Sequence, residues 1–471
     1  MMFADVADRL SEHPIANLVN SGRDPYGLIE RLYKRHGEMF EYKIAALPTV
    51  RVCADPEGVR QVLSGSYDEF ERFAGGVELF VGPHALILQD GDPHRVRRKP
   101  MNPGFNAESV RAFGPAMLEI ADRTLASLEP GRTLSLLDSM QDITMRVIMR
   151  CIFGVADGPR FEELRVITIE YLRQIFSPEA LALGVLLKPA GAQKWMSGRS
   201  KAARASEPGS DFTPSRWPLQ RIADRLGRIH SLLAAEIDRC VEQGPETRHD
   251  VLAMLLRIRF EDGSAMSRAE LLDQLLLLLL GGYETTSMSL CWAVHCLVQH
   301  PETIARVRAE LTEVMGDGFD PARVRDLTYL GAVINESMRL YPIAIGISRK
   351  LRVPKRISGV DLPAGAIVMA SIYLIQRNPA LWPEPEQFKP ERMLDKRPPA
   401  WQLFPFGSGA WRCLGAAFAE HEMRIVLARL LTSYDVSIAP GVTVRAVQRG
   451  ITVGPEGGLP VRLTRREPPR T

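Results

Sequence analysis

Much of what would place this 471-residue sequence in a common class is missing from it. Cysteine is scarce: Cys53, Cys151, Cys240, Cys291, Cys296 and Cys413 are scattered, with no Cys-x-x-Cys pair, so there is no disulfide framework. The formal net charge is only +3, and no Lys/Arg block or tail is present, which argues against nucleic acid as the partner. The opening MMFADVADRLSEHP carries acids early and has no apolar core, so it does not read as a secretory signal. A reducing cytoplasm is the expected compartment. No internal repeat and no linker between two cores is visible. The expectation is therefore one domain over residues 1–471, with its core at 24–463.

What is present is mostly helical pattern. Residues 40–46 and 50–54 alternate like strands, and Pro56 opens a short helix. From about residue 92 to 300, apolar residues recur at helical spacing. Residues 188–218, rich in Gly, Ser, Lys, Arg and Pro, interrupt this pattern and read as a mobile surface loop. Ser267-Arg-Ala-Glu270 fits a capping box that starts a long apolar helix ending near Pro301. Within it, Leu275–Gln299 holds a single formal charge, Glu284. By length alone that stretch fits either a membrane span or the central buried helix of a large globule. A charge near its middle is costly in lipid. After Arg349 short strands and Pro/Gly turns take over, and helix resumes after Cys413.

The stretch FPFGSGAWRCLG, residues 404–415, sets one cysteine in a glycine-rich bend just ahead of a helix. Gly407, Gly409 and Gly415 free the backbone to turn tightly or to approach something flat. A thiol at a helix N-terminus is easier to ionise. One thiolate does not make a structural zinc site, which needs about four ligands. A single axial thiolate on haem iron does fit. A small buried apolar residue beside a turn is the plain alternative for an isolated cysteine.

The whole string Phe406-Gly407-x-Gly409-x-x-x-Cys413-x-Gly415 resembles the haem-binding loop of the cytochrome P450 family, in which the cysteine is the iron ligand. The resemblance extends along the chain in the family's order. His94-Arg-Val-Arg-Arg98 resembles a pair directed at the haem carboxylates, and Arg349 a further one. Gly281-Gly-Tyr-Glu284-Thr285-Thr286 resembles the oxygen-activation motif, implying that Thr285 holds hydrogen bonds at the bound oxygen while Glu284 relays protons. Glu336-Ser-Met-Arg339, with Arg392 of Phe388-Lys-Pro-Glu-Arg392, resembles the buried triad that supports the cysteine loop. Glu57/Arg60 and Glu236/Arg239 share the same spacing and read as solvated surface pairs. Phe406, Gly407, Arg412 and Gly415 complete the implied haem contacts. One departure stands out. The family has Arg or His two residues before the cysteine, against a haem propionate, and this chain has Trp411.

The resemblance implies a mainly α fold, a triangular helical prism with a minor β region. It also implies haem b (iron protoporphyrin IX) as cofactor. The implied activity is a monooxygenase that uses O2 to hydroxylate or epoxidise a hydrophobic small molecule of the fatty acid, terpenoid, steroid or polyketide-like kind. A ferredoxin and ferredoxin reductase would supply electrons as separate chains; Arg95, Lys99 and Arg412 are read as a basic docking face for an acidic partner, with plain solvated surface the equal alternative for Arg95 and Lys99. No nucleic acid and no membrane span is expected. Residues 73–89, 175–187 and 343–347, with Ile451 and Thr452, are the expected pocket lining. Peroxide-driven or oxygen-independent chemistry on the same fold, and a non-catalytic haem-binding protein, are the alternatives. The Glu284–Thr285 pair disfavours both.

Overall fold

The computed structural model describes residues 13–45, 47–73, 81–155, 157–175, 218–394 and 398–466. The expected loop at 188–218 lies outside them up to residue 217, as do the expected pocket segments 74–80 and 176–187. The chain packs as two compact units. One comprises Met1–Phe73, Phe105–Thr144 and Glu284–Thr471; the other comprises Ala74–Gly104 and Met145–Tyr283.

The first unit is built on a five-stranded sheet. Its strands run in the order Met39–Tyr42, Val50–Cys53, Ile367–Ser371, Gly346–Leu351, Phe70–Arg72. Ile367–Ser371 is buried throughout, as suits a central strand covered on both faces. Successive side chains of a strand point to opposite faces. Accordingly Val368 packs with Cys53, Leu63, Phe404 and Trp411. Met369 packs instead with Tyr26, Phe40, Val52 and Tyr373. The helix Pro56–Ser64 begins where expected, with the Asp55 carboxylate accepting from the Gly58 amide at 2.8 Å.

The helix Ala416–Ser433 packs on Gly114–Ala126 and on Thr328–Leu340. It crosses Thr328–Leu340 closely: a Cβ on Gly331 would lie 2.6 Å from the Arg424 guanidinium. Thr328–Leu340 has Leu327 at its N-cap and so supplies no capping side chain of its own. Glu310 provides the cap from a neighbouring helix, accepting from the amides of Tyr329 at 2.6 Å and Leu330 at 2.9 Å.

Glu422, on the buried face of Ala416–Ser433, is fully enclosed, and its Oε1 has no hydrogen-bond partner among the described residues. Burial raises its carboxyl pKa well above the usual range, so the folded state keeps a proton that the unfolded chain releases above about pH 4.3. Stability from this group is complete below that pH and is lost as pH rises. Glu422→Gln is therefore expected to raise the melting temperature at about pH 8, by on the order of 1–3 kcal/mol of stability, and to change little at about pH 4. Equal effects in thermal unfolding at both pH values would show that Glu422 is not held protonated.

The second unit is helical, with Gly91–Met101, Pro159–Ile175 and Pro218–Gln243 among its elements. Arg228 is fully buried and its Nε donates to Glu163 at 2.6 Å. The Ser267–Glu270 capping box forms reciprocally. The Ser267 amide donates to Glu270 Oε2 at 2.9 Å, and the Glu270 amide to Ser267 Oγ at 3.2 Å. Glu270 also accepts two bonds from Arg97, at 2.9 and 2.6 Å.

From this cap runs the long helix Arg268–Val298, with 31 residues and a length of about 46 Å at 1.5 Å per residue. It passes from the second unit into the first between Tyr283 and Glu284. No helix among the described residues is long and apolar enough to cross a membrane. The Glu57–Arg60 pair is exposed, as the sequence suggests. Glu236–Arg239 is not a solvated pair. Glu236 is buried, on a helix, Pro218–Gln243, that packs on Pro159–Ile175 and Val251–Arg257.

Candidate functional site

The cysteine loop is shaped by two glycines. Gly407 and Gly409 have φ of 72° and 67°, in the region that favours glycine, and a Cβ on Gly409 would meet the Leu63 carbonyl at 2.6 Å. Gly415 has a φ of −82°, which any residue adopts, and is the N-cap of Ala416–Ser433. The half-buried Phe406 closes the loop through its carbonyl, which accepts from the Cys413 amide at 2.8 Å. Cys413 is exposed, whereas the other five cysteines are buried. It stands two residues before Gly415, the N-cap of Ala416–Ser433. Arg412 beside it is exposed.

Behind the loop lies the triad. Glu336 and Arg339 are 0% exposed and joined by two parallel bonds of 2.8 Å. Arg392 Nε adds a third at 2.9 Å, and the Lys389 amide a fourth at 3.0 Å. Arg339 Nη1 also donates to the carbonyls of Gln376 at 2.7 Å and Pro385 at 2.8 Å. Gln376, fully buried, links the triad to the loop. Its side-chain nitrogen donates to the carbonyls of Met338 and Arg339, and its oxygen accepts from the Phe404 amide at 3.2 Å. Nothing in the sequence around Gln376 marks it.

On the long helix, Gly281 is exposed and Gly282, Glu284 and Thr285 are half-buried, while most of the residues after them are buried. A Cβ on Gly281 would meet nothing within 4 Å. The helix continues unbroken through these positions. The Glu284 and Thr285 carbonyls each accept an extra bond, from Ser287 Oγ at 2.9 Å and Ser289 Oγ at 3.0 Å. Burial pushes the Glu284 carboxyl up to about 7, against the opposing pull of the Arg449 charge and a hydrogen bond from Thr452. Arg449 is a functional candidate that the sequence reading missed. It ends a strand, Ala446–Arg449, that pairs with Thr452–Pro455 and places Arg449 opposite Thr452. Trp292 Nε1 fastens this hairpin to the helix by donating to the Val453 carbonyl at 3.0 Å.

His94 is buried on the helix Gly91–Met101, with Arg98 one turn on. Arg349 is buried in the sheet, paired with Arg72 on one side and Val368 on the other. Arg95 and Lys99 are not open cations: they pair with Asp92 at 3.0 Å and Glu261 at 2.8 Å.

The family model for cytochrome P450 matches residues 14–459. The chain belongs to the cytochrome P450 family. It is 32% identical over 436 residues to cytochrome P450 135B1 of Mycobacterium tuberculosis, covering 91% of this chain and 85% of that protein. It is 30% identical over 446 residues to cytochrome P450 138 of the same species, covering 93% and 92%. Among solved structures, the cyanobacterial CYP120A1 with retinoic acid bound superposes with a TM-score of 0.76 at 24% identity, covering 93% of this chain and 94% of that one. The haem domain of cytochrome P450DA gives 0.79 at 20% identity, covering 97% and 96%.

As a P450, the protein is a haem-thiolate monooxygenase, an oxidoreductase that uses O2 and redox partners. Its residues fit the cofactor. Cys413 offers one accessible sulfur at a helix start, and no group of three or more His, Cys, Asp or Glu side chains among the described residues competes for a metal.

Proposed function

We propose that this P450 hydroxylates or epoxidises a hydrophobic small molecule of the fatty acid, terpenoid, steroid or polyketide-like kind. It would do so in the cytoplasm, with haem b held by Cys413 and electrons from a separate ferredoxin and ferredoxin reductase. Residues 1–471 act as one functional domain in this reading. The observation that carries it is the acid–alcohol pair: Glu284, poised near neutrality, adjoins Thr285 on the accessible stretch of the long helix.

Haem bound through the Cys413 thiolate supplies the centre at which O2 is reduced. The chain's own groups do the rest. Thr285 Oγ1 orients a proton donor at that centre. Glu284, with a pKa of about 7, both takes a proton from solvent and gives it up at working pH. The apolar side chains of residues 343–347 and Ile451 exclude water and hold the substrate, beside Thr452. His94, Arg98, Arg349 and Arg412 serve the haem carboxylates, while Phe406, Gly407 and Gly415 shape the loop. Glu336, Arg339 and Arg392 carry that loop and have no chemical role.

Thr285→Ala is expected to lower product formed per NAD(P)H consumed by about tenfold or more, given the ~10²–10⁴ that positioned acid–base groups contribute. Unchanged coupling would remove Thr285 from proton delivery. The protonated fraction of Glu284 falls as pH rises through about 7, so coupling should decline above that pH. Glu284→Gln should abolish this limb of the profile. A wild-type profile flat across that range would remove Glu284 from the relay. Turnover with hydrogen peroxide but not with a ferredoxin system would move the protein to the peroxide-driven reading.

A further inference from the structure

Trp411 occupies the loop position where the family has an Arg or His, and its surroundings show what it does there. Its ring is 4% exposed. It packs edge-on to Tyr67, with centroids 4.8 Å apart and planes at 76°. The Arg349 guanidinium, itself 3% exposed, lies 4.4 Å from the ring centroid. Stacking occupies the flat face of a guanidinium and leaves its in-plane N–H groups to hydrogen-bond, as Nη1 does to the Ser348 carbonyl at 3.1 Å. The indole Nε1–H is buried and has no acceptor among the described residues. Buried polar groups are almost always hydrogen-bonded, so this one calls for an acceptor the chain does not supply. Indole can only donate, and the neighbouring Arg349 charge selects an anion.

We propose that Trp411 is a cofactor-binding residue, its indole N–H donating to a haem propionate while its ring holds Arg349 beside the same carboxylate. An aromatic donor with a stacked cation thereby replaces the cationic residue of the family at this position. This rests on the haem-thiolate reading of Cys413, and the test separates the two.

Ferric holoprotein is mixed with excess apomyoglobin and the rate of haem transfer is measured, with the carbon monoxide difference spectrum recorded for each variant. Trp411→Phe keeps an aromatic ring and removes the N–H. It is expected to lose haem roughly tenfold faster or more, the usual scale for a hydrogen bond to a charged group, while retaining the thiolate–CO band. Trp411→His restores a ring N–H and should bring the rate back toward wild type. With haem dimethyl ester, whose ester carbonyls are uncharged and weaker acceptors, the gap between wild type and Trp411→Phe should narrow. If Trp411→Phe folds poorly, benzothienylalanine at position 411 keeps the indole outline without the N–H. Equal transfer rates for wild type and the N–H-free variant would overturn the proposal. So would equal acceleration by Phe and His, which would assign the effect to ring packing. A wild-type holoprotein lacking the thiolate–CO band would overturn the Cys413 reading beneath it.

Discussion

Glu336→Ala is expected to be the most destructive single substitution in this P450. The carboxylate is 0% exposed and accepts four hydrogen bonds, from Arg339 twice, from Arg392 and from the Lys389 amide. Removing it strands the Arg339 charge in the interior. Breaking a buried pair in this way costs about 3–5 kcal/mol. A domain's whole stability is about 5–15 kcal/mol. The expected result is little soluble protein, with a much lower denaturant midpoint for what remains. Damage should reach the cysteine loop as well, because Arg339 and Gln376 share hydrogen bonds with each other and Gln376 holds the Phe404 amide. Glu57→Ala is the control. Glu57 and Arg60 have the same sequence spacing, but both are more than half exposed, and such pairs are worth about 0–1 kcal/mol. A denaturant midpoint for Glu336→Ala close to that of Glu57→Ala would refute the triad's structural role.

Cys413→Ala should remove function completely while leaving the fold in place. Cys413 is exposed and Ala keeps the loop's backbone conformation, so little packing is lost. The sulfur has no substitute, since the other five thiols are buried. Reduced wild-type protein with carbon monoxide should give the strongly red-shifted Soret band of a thiolate-ligated haem. The Ala variant should give none, with O2-dependent turnover down by at least ~10⁴, the upper end of what loss of a single acid–base group costs. Retention of the red-shifted band in Cys413→Ala would falsify the ligand assignment outright.

The parts of this molecule legible in its sequence are those written in short-range spacing. Ser267 and Glu270 announce the long helix because a capping box is a contact between residues three apart. Gly407 and Gly409 are legible because backbones with positive φ select glycine. Glu336 and Arg339 are one helical turn apart, whereas Arg392 joins them only through the family resemblance. Other features depend on residues brought together from afar. Val50–Cys53 pairs in parallel with Ile367–Ser371. Gln376 meets Phe404, and Glu310 caps a helix that it does not belong to. Arg449 reaches Glu284 only through a hairpin far along the chain. Glu236 shows the converse: the same Glu–Arg spacing sits on a buried face, which i, i+3 spacing cannot disclose. Gly415, at the N-cap of Ala416–Ser433, has a negative φ, so backbone conformation alone does not select glycine there.

The unequal placement of the six sulfurs also makes the protein its own loading gauge. Burial pushes the Cys53 thiol up to about 12 and raises those of Cys240, Cys291 and Cys296, so none of these four competes as a nucleophile near neutral pH. Cys151 is buried too. An alkylating reagent applied to native protein therefore meets a single susceptible position, Cys413. Intact-mass spectrometry should show one adduct on each chain lacking haem and none on each chain whose sulfur is bound to iron. The ratio of the two peaks would count cofactor occupancy without any reference to colour.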